Sequence, residues 1–268
     1  MDQQQSEKKL LDNLWALKSR VPYDLNYQST ARPIGEASLG TVESDSAGRY
    51  GRWAPEAFRA SKLAEIATRG NLQSVLDVGG GNLLAASYFA GKGLQVDVSD
   101  YSTSPYLSPS ALEQAGIRNF VDGDFNTTEF AETYDLVWVS HVLEHQLNVH
   151  DFLVKLVSLV NDGGSLALAV PPRKPFIISG HVNLFNPGLL LYRVILAGVD
   201  CSDAKVFQYD GNICLLVKVE RFDLPQLNYD LGDIQQLSRF FPNSPSEGFN
   251  GDFMHLNLSQ SEEIEVYG

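Results

Sequence analysis

From residue 75 onward, short apolar runs alternate with segments of helical period. Residues 75–78, 95–98, 119–121, 136–140 and 165–170 read as strands, and residues 83–90, 108–114, 148–160 and 187–197 carry apolar positions at helical spacing. Gly91, Gly93, Gly116 and the pair Gly163-Gly164 punctuate the intervals. Strands that are apolar at nearly every position are buried on both faces, which calls for a parallel sheet covered by helices. The alternation stops after residue 203. Two strand-like runs, 204–209 and 213–220, are separated only by Asp210-Gly211-Asn212. A connection that short makes an antiparallel hairpin, because a parallel crossover needs a dozen residues or more. The pattern therefore predicts an α/β fold: a Rossmann-like, mostly parallel sheet with one reversed strand near an edge and helices on both faces.

Outside this pattern, Leu10, Leu14 and Leu17, with Leu11 and Trp15 beside them, predict an amphipathic helix over 7–20. It would pack on the domain or on a partner subunit, which leaves a homodimer open. Residues 21–51 have no periodicity and read as a long, lid-like loop. A helix is predicted from about Ala54-Pro55-Glu56 to Gly70, with Phe58, Leu63, Ala64 and Ile66 on its apolar face. The expected organisation is an N-terminal helix and loop (1–51), a central domain (52–220) and a polar C-terminal extension (221–268) holding one short helix within 230–241.

Charge narrows the partners. The 268 residues carry 33 Asp and Glu against 20 Lys and Arg, a net charge of −13. Nucleic acid and anionic membranes require clustered positive charge, and the only adjacent basic pairs are Lys8-Lys9 and Arg173-Lys174. No apolar run approaches the roughly 18 residues of a membrane span, and the N-terminus lacks a signal-peptide core. Cys201 and Cys214 form no metal spacing and read as free thiols in a reducing compartment. A cytoplasmic protein is expected, with no nucleic acid or membrane partner.

The chemistry concentrates where the first strand runs into Gly79-Gly80-Gly81 and a helix follows at once. Missing Cβ atoms let a ligand approach the backbone, and a helix start offers free N–H groups and a positive dipole end. Gly79 and Gly81 fit the first two positions of a dinucleotide G-x-G-x-x-G, but Leu84 stands at the third. Leu83 and Leu84 are expected to pack the helix on the sheet. Asp77, two places before the turn, would repel a pyrophosphate but suits a cationic ligand, and it can also cap the turn. Asp100, after the second strand, can accept hydrogen bonds from a ribose diol. Asp124 and Phe125, after the third strand, can meet an adenine amino group and cover a base face.

At this point the chain resembles the class I S-adenosylmethionine-dependent methyltransferases of the small-molecule or glycan type. The resemblance rests on VLDVGGGN (75–82), VDVSDYS (96–102), GDF (123–125), YDLVWVSHVLEH (134–145) and NDGGSLALAVP (161–171), in order, within residues 52–220. It implies a seven-stranded sheet with the last strand reversed, and S-adenosyl-L-methionine as cofactor. Asp77, Gly79 and Gly81 would line its methionine end. Asp100 would hold the ribose with Tyr101 beside it, Asp124 and Phe125 would meet the adenine, and Ser140 and His141 would lie near the transferring methyl group. Leu83 stands where the family has its last motif glycine.

For the acceptor, His181 and His141 are the candidate bases or orienting groups. Arg173, Lys174 and Asn183 share with His181 the segment that opens after the fifth strand, where open α/β sheets bind ligands. His141 and His145 stand four apart but lack a third metal ligand in the sequence, so no metal is expected. Glu144-His145 reads as structural, holding the loop after the fourth strand. The expected function is methyl transfer to oxygen of a small molecule or sugar-containing metabolite. The rivals are an NAD(P)-dependent dehydrogenase or epimerase, and a non-catalytic module that keeps the fold for partner binding.

Overall fold

The computed structural model describes residues 58–174, 177–209, 211–249 and 251. The helix predicted over 7–20, the loop 21–51 and the tail 252–268 lie outside the described residues. The helix expected from about residue 54 to 70 is shorter: Phe58 to Ala60 are not helical, Ala60 takes a left-handed conformation at φ 61°, and the helix runs over Ser61–Ala67. The described residues fall within one compact unit, Arg52–Gly268.

Seven strands form one sheet in the order β3-β2-β1-β4-β5-β7-β6. They are β1 (Ser74–Val78), β2 (Gln95–Asp100), β3 (Asn119–Asp122), β4 (Tyr134–Ser140), β5 (Val160–Val170), β6 (Lys205–Tyr209) and β7 (Asn212–Lys218). β1 to β5 pair in parallel, and β7 runs antiparallel to both β5 and β6. The hairpin read from Asp210-Gly211-Asn212 is present, with Gly211 at φ 69°. It inserts the reversed strand one place in from the edge. β5 begins five residues before the predicted run. Its polar start, Asn161 to Gly164, lies beyond a register shift that brings Val160 opposite Tyr134.

The alternation of side chains splits the core into two layers. Leu76, Val78, Val137, Val139, Leu166 and Leu168 face one side. There they meet α4 (Val149–Ser158) through Phe152, Leu153 and Leu156, and α5 (Pro187–Leu196) through Leu190, Leu191 and Val194. Val75, Val96, Val98, Leu136 and Trp138 face the other. That layer holds α1 (Ser61–Ala67) and α2 (Leu84–Gly91), with Leu63, Ala86 and Phe89 fully buried, while the short α3 (Pro109–Gln114) adds partly buried Ala111 and Leu112. Leu83 packs as expected, but Leu84 is half exposed and does not.

Three helix starts have a side-chain cap. Ser108 accepts from Ala111 N–H before Pro109, Asn148 from Asp151 N–H, and Asn186 from Leu189 N–H before Pro187. In the first and third of these, proline opens the helix, where its missing N–H costs nothing. In the C-terminal extension, Leu237, Phe240 and Phe241 of α6 (Asp233–Leu237) and the 3-10 turn after it join the α4–α5 layer. Cys201 and Cys214 are buried free thiols. Among the described residues no helix is long and apolar enough to cross a membrane.

Candidate active site

The strand order reverses between β1 and β4, so the carboxyl ends of the parallel strands open a crevice there. β1 ends at Val78, beside Ser99 of β2, and the glycine turn follows. Gly79 N–H donates to Ser99 O at 2.8 Å, which makes the turn a continuation of the sheet. Gly79 sits at φ 77°, and a Cβ there would lie 2.3 Å from Val142 Cγ2. The turn is thereby pressed against the segment that follows β4. Gly81 sits at φ 53° and its N–H donates to Asp100 Oδ2 at 2.7 Å, while Tyr101 N–H donates to Oδ1 at 2.7 Å. Each oxygen of Asp100 retains lone-pair capacity for a diol.

Asp77 does not line the open face of the turn. It is 2% exposed, lies beneath α2, and accepts from Ala86 N–H. Its Oδ2 has no hydrogen-bond partner. Burial pushes its carboxyl up to about 7; the neighbouring Asp100 adds to the rise and the Ala86 N–H opposes it. Its hydrogen-bond partner is thus in the first turn of α2 and not in the glycine turn that its sequence position allows it to cap.

Further along the crevice, Asp124 Oδ1 accepts from Asn126 N–H at 2.9 Å and from its side-chain amide at 3.0 Å. Asp122 accepts from Ser102 N–H and Oγ–H, and these bonds hold its carboxyl below the usual range. Tyr101 is partly exposed; burial, then Asp124 and Asp100, raise its phenol. Phe125 does not cover the crevice. Its ring is buried against Phe152 and Phe130, with Lys155 Nζ 5.0 Å from its centroid. The position nearest the turn that sequence reasoning missed is Tyr106, whose Cβ lies 4.0 Å from where a Gly81 Cβ would stand. It is 74% exposed, and nothing in its spacing singled it out.

The acceptor side is built on β4. Ser140 ends the strand, half-buried, and His141 takes a left-handed conformation at φ 58°. Asn212 Nδ2 donates to Tyr209 O at 3.0 Å, so its Oδ1 faces His141 Nε2 at 2.5 Å and the ring must donate there. His141 Nδ1 lies 3.4 Å from Arg59 Nη1 and 3.1 Å from Glu144 Oε1. The loop 173–185 closes over this turn. Its neck is Arg173 N–H to Phe185 O at 2.9 Å. Val182 and Asn183 N–H both donate to Glu144 O, Asn183 Nδ2 donates to Gln146 O at 2.7 Å, and His145 Nδ1–H donates to Gly180 O at 2.8 Å. Asn183 is thus a clasp of the loop, and it also lines the groove beside His181. His145 and His181 meet edge to face, with centroids 4.9 Å apart.

Beside His181 opens a groove of about 360 Å³, lined by Pro171, Lys174, Ile177, Ile178, Val182 and Leu184 among others. Ile177 is almost fully exposed and Val182 and Leu184 more than half, an apolar rim. Arg173 is exposed at the neck but does not line the groove. Burial chiefly lowers the His181 imidazole, Glu144 opposes this, and His145, His141 and Lys174 add to it.

The turn after β4 touches both the crevice and the groove: its Val142 packs against Gly79, and its Glu144 carbonyl and His145 hold the loop that lines the groove. A sheet of this order, with a glycine turn on β1 and a carboxylate closing β2, defines a class I S-adenosylmethionine-dependent methyltransferase. The model of the methyltransferase domain family matches residues 50–191, just over half of the 268 residues, and the chain belongs to that family. No curated protein matches it. Among solved structures, the 1,6-didemethyltoxoflavin-N1-methyltransferase of Burkholderia thailandensis, with bound 1,6-didemethyltoxoflavin and S-adenosylhomocysteine, superposes with a TM-score of 0.51 at 18% identity, over 60% of this chain and 77% of that one. The S-adenosylmethionine-dependent methyltransferase SibL in its apo form gives 0.50 at 18% identity, over 60% of this chain. The chain spans 55% of the length of SibL. At these identities the likeness concerns the fold.

The residues present fit S-adenosylmethionine. Asp100, Asp122 and Asp124 make the crevice strongly negative, which favours a sulfonium and an ammonium and disfavours a pyrophosphate. Gly81 leaves the turn open, since its Cβ would meet nothing closer than 3.9 Å.

Proposed function

We propose that this enzyme transfers a methyl group to a hydroxyl of a small molecule or sugar-containing metabolite. The observation that carries the reading is that one turn, after β4, adjoins both: Val142 packs on Gly79 beside the acidic crevice, and His145 meets His181 of the apolar groove. It gives a cationic cofactor and a partly apolar acceptor a common boundary. When bound, S-adenosylmethionine supplies an electrophilic methyl group and a neutral thioether leaving group. Asp100 holds the ribose hydroxyls, Asp124 faces the adenine, and the turn at Gly79 to Gly81 supports the methionine end. His181 meets the acceptor hydroxyl, with the prolyl and isoleucyl side chains around it supporting an apolar body. Lys174 offers a cation to an acidic acceptor. His141 is the weaker candidate, because Asn212 and the Arg59–Glu144 side already engage both ring nitrogens.

Fixed approach geometry contributes about 7–11 kcal/mol to reactions of this kind, so positioning is the main task of the chain. The two buried thiols support a reducing, cytoplasmic setting. The test pairs ligand-dependent thermal stabilisation with a methyl-release assay over sugars, phenols and carboxylic acids. S-adenosylhomocysteine should stabilise the protein and NAD(P) should not, and a hydroxyl-bearing acceptor should turn over. Stabilisation by NAD(P) instead would favour the dehydrogenase reading. Cofactor binding with no turnover by any acceptor class would favour a non-catalytic module.

A further inference from the structure

Glu144 is fully buried, yet neither of its carboxylate oxygens accepts a hydrogen bond. A buried carboxylate without partners is costly, by several kcal/mol even after the surroundings relax, and needs a cation beside it. The groups nearest it are imidazoles. His141 Nδ1 lies 3.1 Å from Oε1 without a ring N–H aimed at it. The same nitrogen is 3.4 Å from the Arg59 guanidinium, and Nε2 donates to Asn212 Oδ1.

The two other imidazoles are arranged as ligands. His145 commits Nδ1–H to the carbonyl of Gly180, which leaves Nε2 as a lone pair 3.9 Å from Glu144 Oε1. A backbone carbonyl fixing the far nitrogen is the arrangement that orients metal-bound histidines. His181 completes the set: one ligand atom from each of Glu144, His145 and His181 lies within 4.8 Å of the others. We propose that Glu144, His145 and His181 form a binding site for a divalent transition-metal cation at the mouth of the acceptor groove. Two imidazoles and one carboxylate suit zinc, cobalt, manganese or iron(II). Metal bonds of about 2.0–2.2 Å place tetrahedral ligand atoms about 3.4 Å apart, so closure needs small rotations, chiefly of the two histidines on the surface side. His145 is 42% exposed and free to make one.

Three ligands leave a position open toward the groove. If the methyl-transfer reading holds, that position receives the acceptor hydroxyl and lowers its pKa, so the oxygen attacks the methyl carbon as the C–S bond breaks and its proton leaves to solvent. The metal site itself stands on the geometry of Glu144 and the two imidazoles.

The experiment uses the full chain stripped with EDTA and titrated with Co2+, read by its d–d absorption, with S-adenosylhomocysteine binding measured on the same samples. Wild type should take up one Co2+ per chain. His145→Ala and His181→Ala should each weaken uptake by about tenfold or more while keeping S-adenosylhomocysteine affinity. Glu144→Gln should abolish it, judged on protein whose circular dichroism matches wild type. A wild-type protein that binds S-adenosylhomocysteine but shows no saturable cobalt band overturns the site. Uptake indifferent to both histidine substitutions overturns it equally. Cobalt binding without any S-adenosylhomocysteine binding would keep the site and remove the methyl-transfer reading.

Discussion

Gly81 N–H and Asp100 Oδ2 are joined by a 2.7 Å hydrogen bond that ties the glycine turn of β1 to the end of β2. The bond is charge-assisted and shared with Tyr101 N–H on the other oxygen. It fixes the carboxylate before any ligand arrives. The turn and the ribose-side acid therefore behave as one preorganised unit rather than two independent loops.

Gly79 is required by a neighbour as much as by its own backbone. An alanine would meet Val142 Cγ2 and adopt a positive φ, together worth roughly 2–4 kcal/mol of destabilisation. Gly79→Ala should lower the melting temperature and weaken S-adenosylhomocysteine binding. Adding Val142→Ala should recover the steric part but not the backbone part. Full recovery in the double variant would show that the left-handed conformation contributes nothing.

Asp77 gives a pH dependence with a definite sign. Its folded-state carboxyl titrates at about 7 and an unfolded aspartate near 4. Between those values the folded protein binds the extra proton, so this residue makes stability fall as pH rises from about 4 to 7, after which the penalty is constant. Three pH units correspond to about 4 kcal/mol, an upper figure. Asp77→Asn should therefore raise the melting temperature above pH 7 and change it little at pH 5. Thermal unfolding at the two pH values checks this, and equal shifts at both would contradict the assignment.

Lys155 acts on the crevice from below. Its ammonium donates at 2.5 Å to the carbonyls of Phe125 and Thr128, bracing the loop that carries Asp124. Lys155→Met keeps the apolar stem and removes both bonds, at about 1.5–3 kcal/mol each for charged donors before relaxation. Calorimetric titration should show S-adenosylhomocysteine binding several-fold weaker, with the pH profile of turnover unmoved. An unchanged affinity would mean that the Asp124 loop holds its shape without the lysine.

The sheet was legible where burial left a trace in the sequence. Leu136 to Val139 are buried on both faces and read as strand at once, and the three-residue gap Asp210-Gly211-Asn212 announced the reversal. The start of β5 was not legible, because Asn161 to Gly164 is polar and forms the irregular stretch between Val160, opposite Tyr134, and Ser165, opposite Leu136. Leu84 and Phe125 failed for related reasons. Period alone does not say which of two adjacent leucines faces the sheet, and an aromatic next to an expected ligand residue can still be turned into the core.

The candidate site divides in the same way. Gly79, Gly81, Asp100 and Asp124 follow strands directly and were found from position. The relations among Glu144, His145 and His181, and between His141 and Asn212, join residues from separate elements. No local pattern records them. The sequence reads His145 with Glu144 as structural, and the fold in addition sets it edge to face against His181.

The central claim is that the turn at Gly79 to Gly81 and Asp100 hold S-adenosylmethionine. Calorimetric titration of S-adenosylhomocysteine into wild type and Asp100→Ala tests it most directly. Wild type should bind one molecule per chain, and Asp100→Ala should bind about ten- to a hundredfold more weakly, as expected for losing charge-assisted bonds worth about 1.5–3 kcal/mol. Equal affinity in the two proteins, or no binding to wild type, would contradict it.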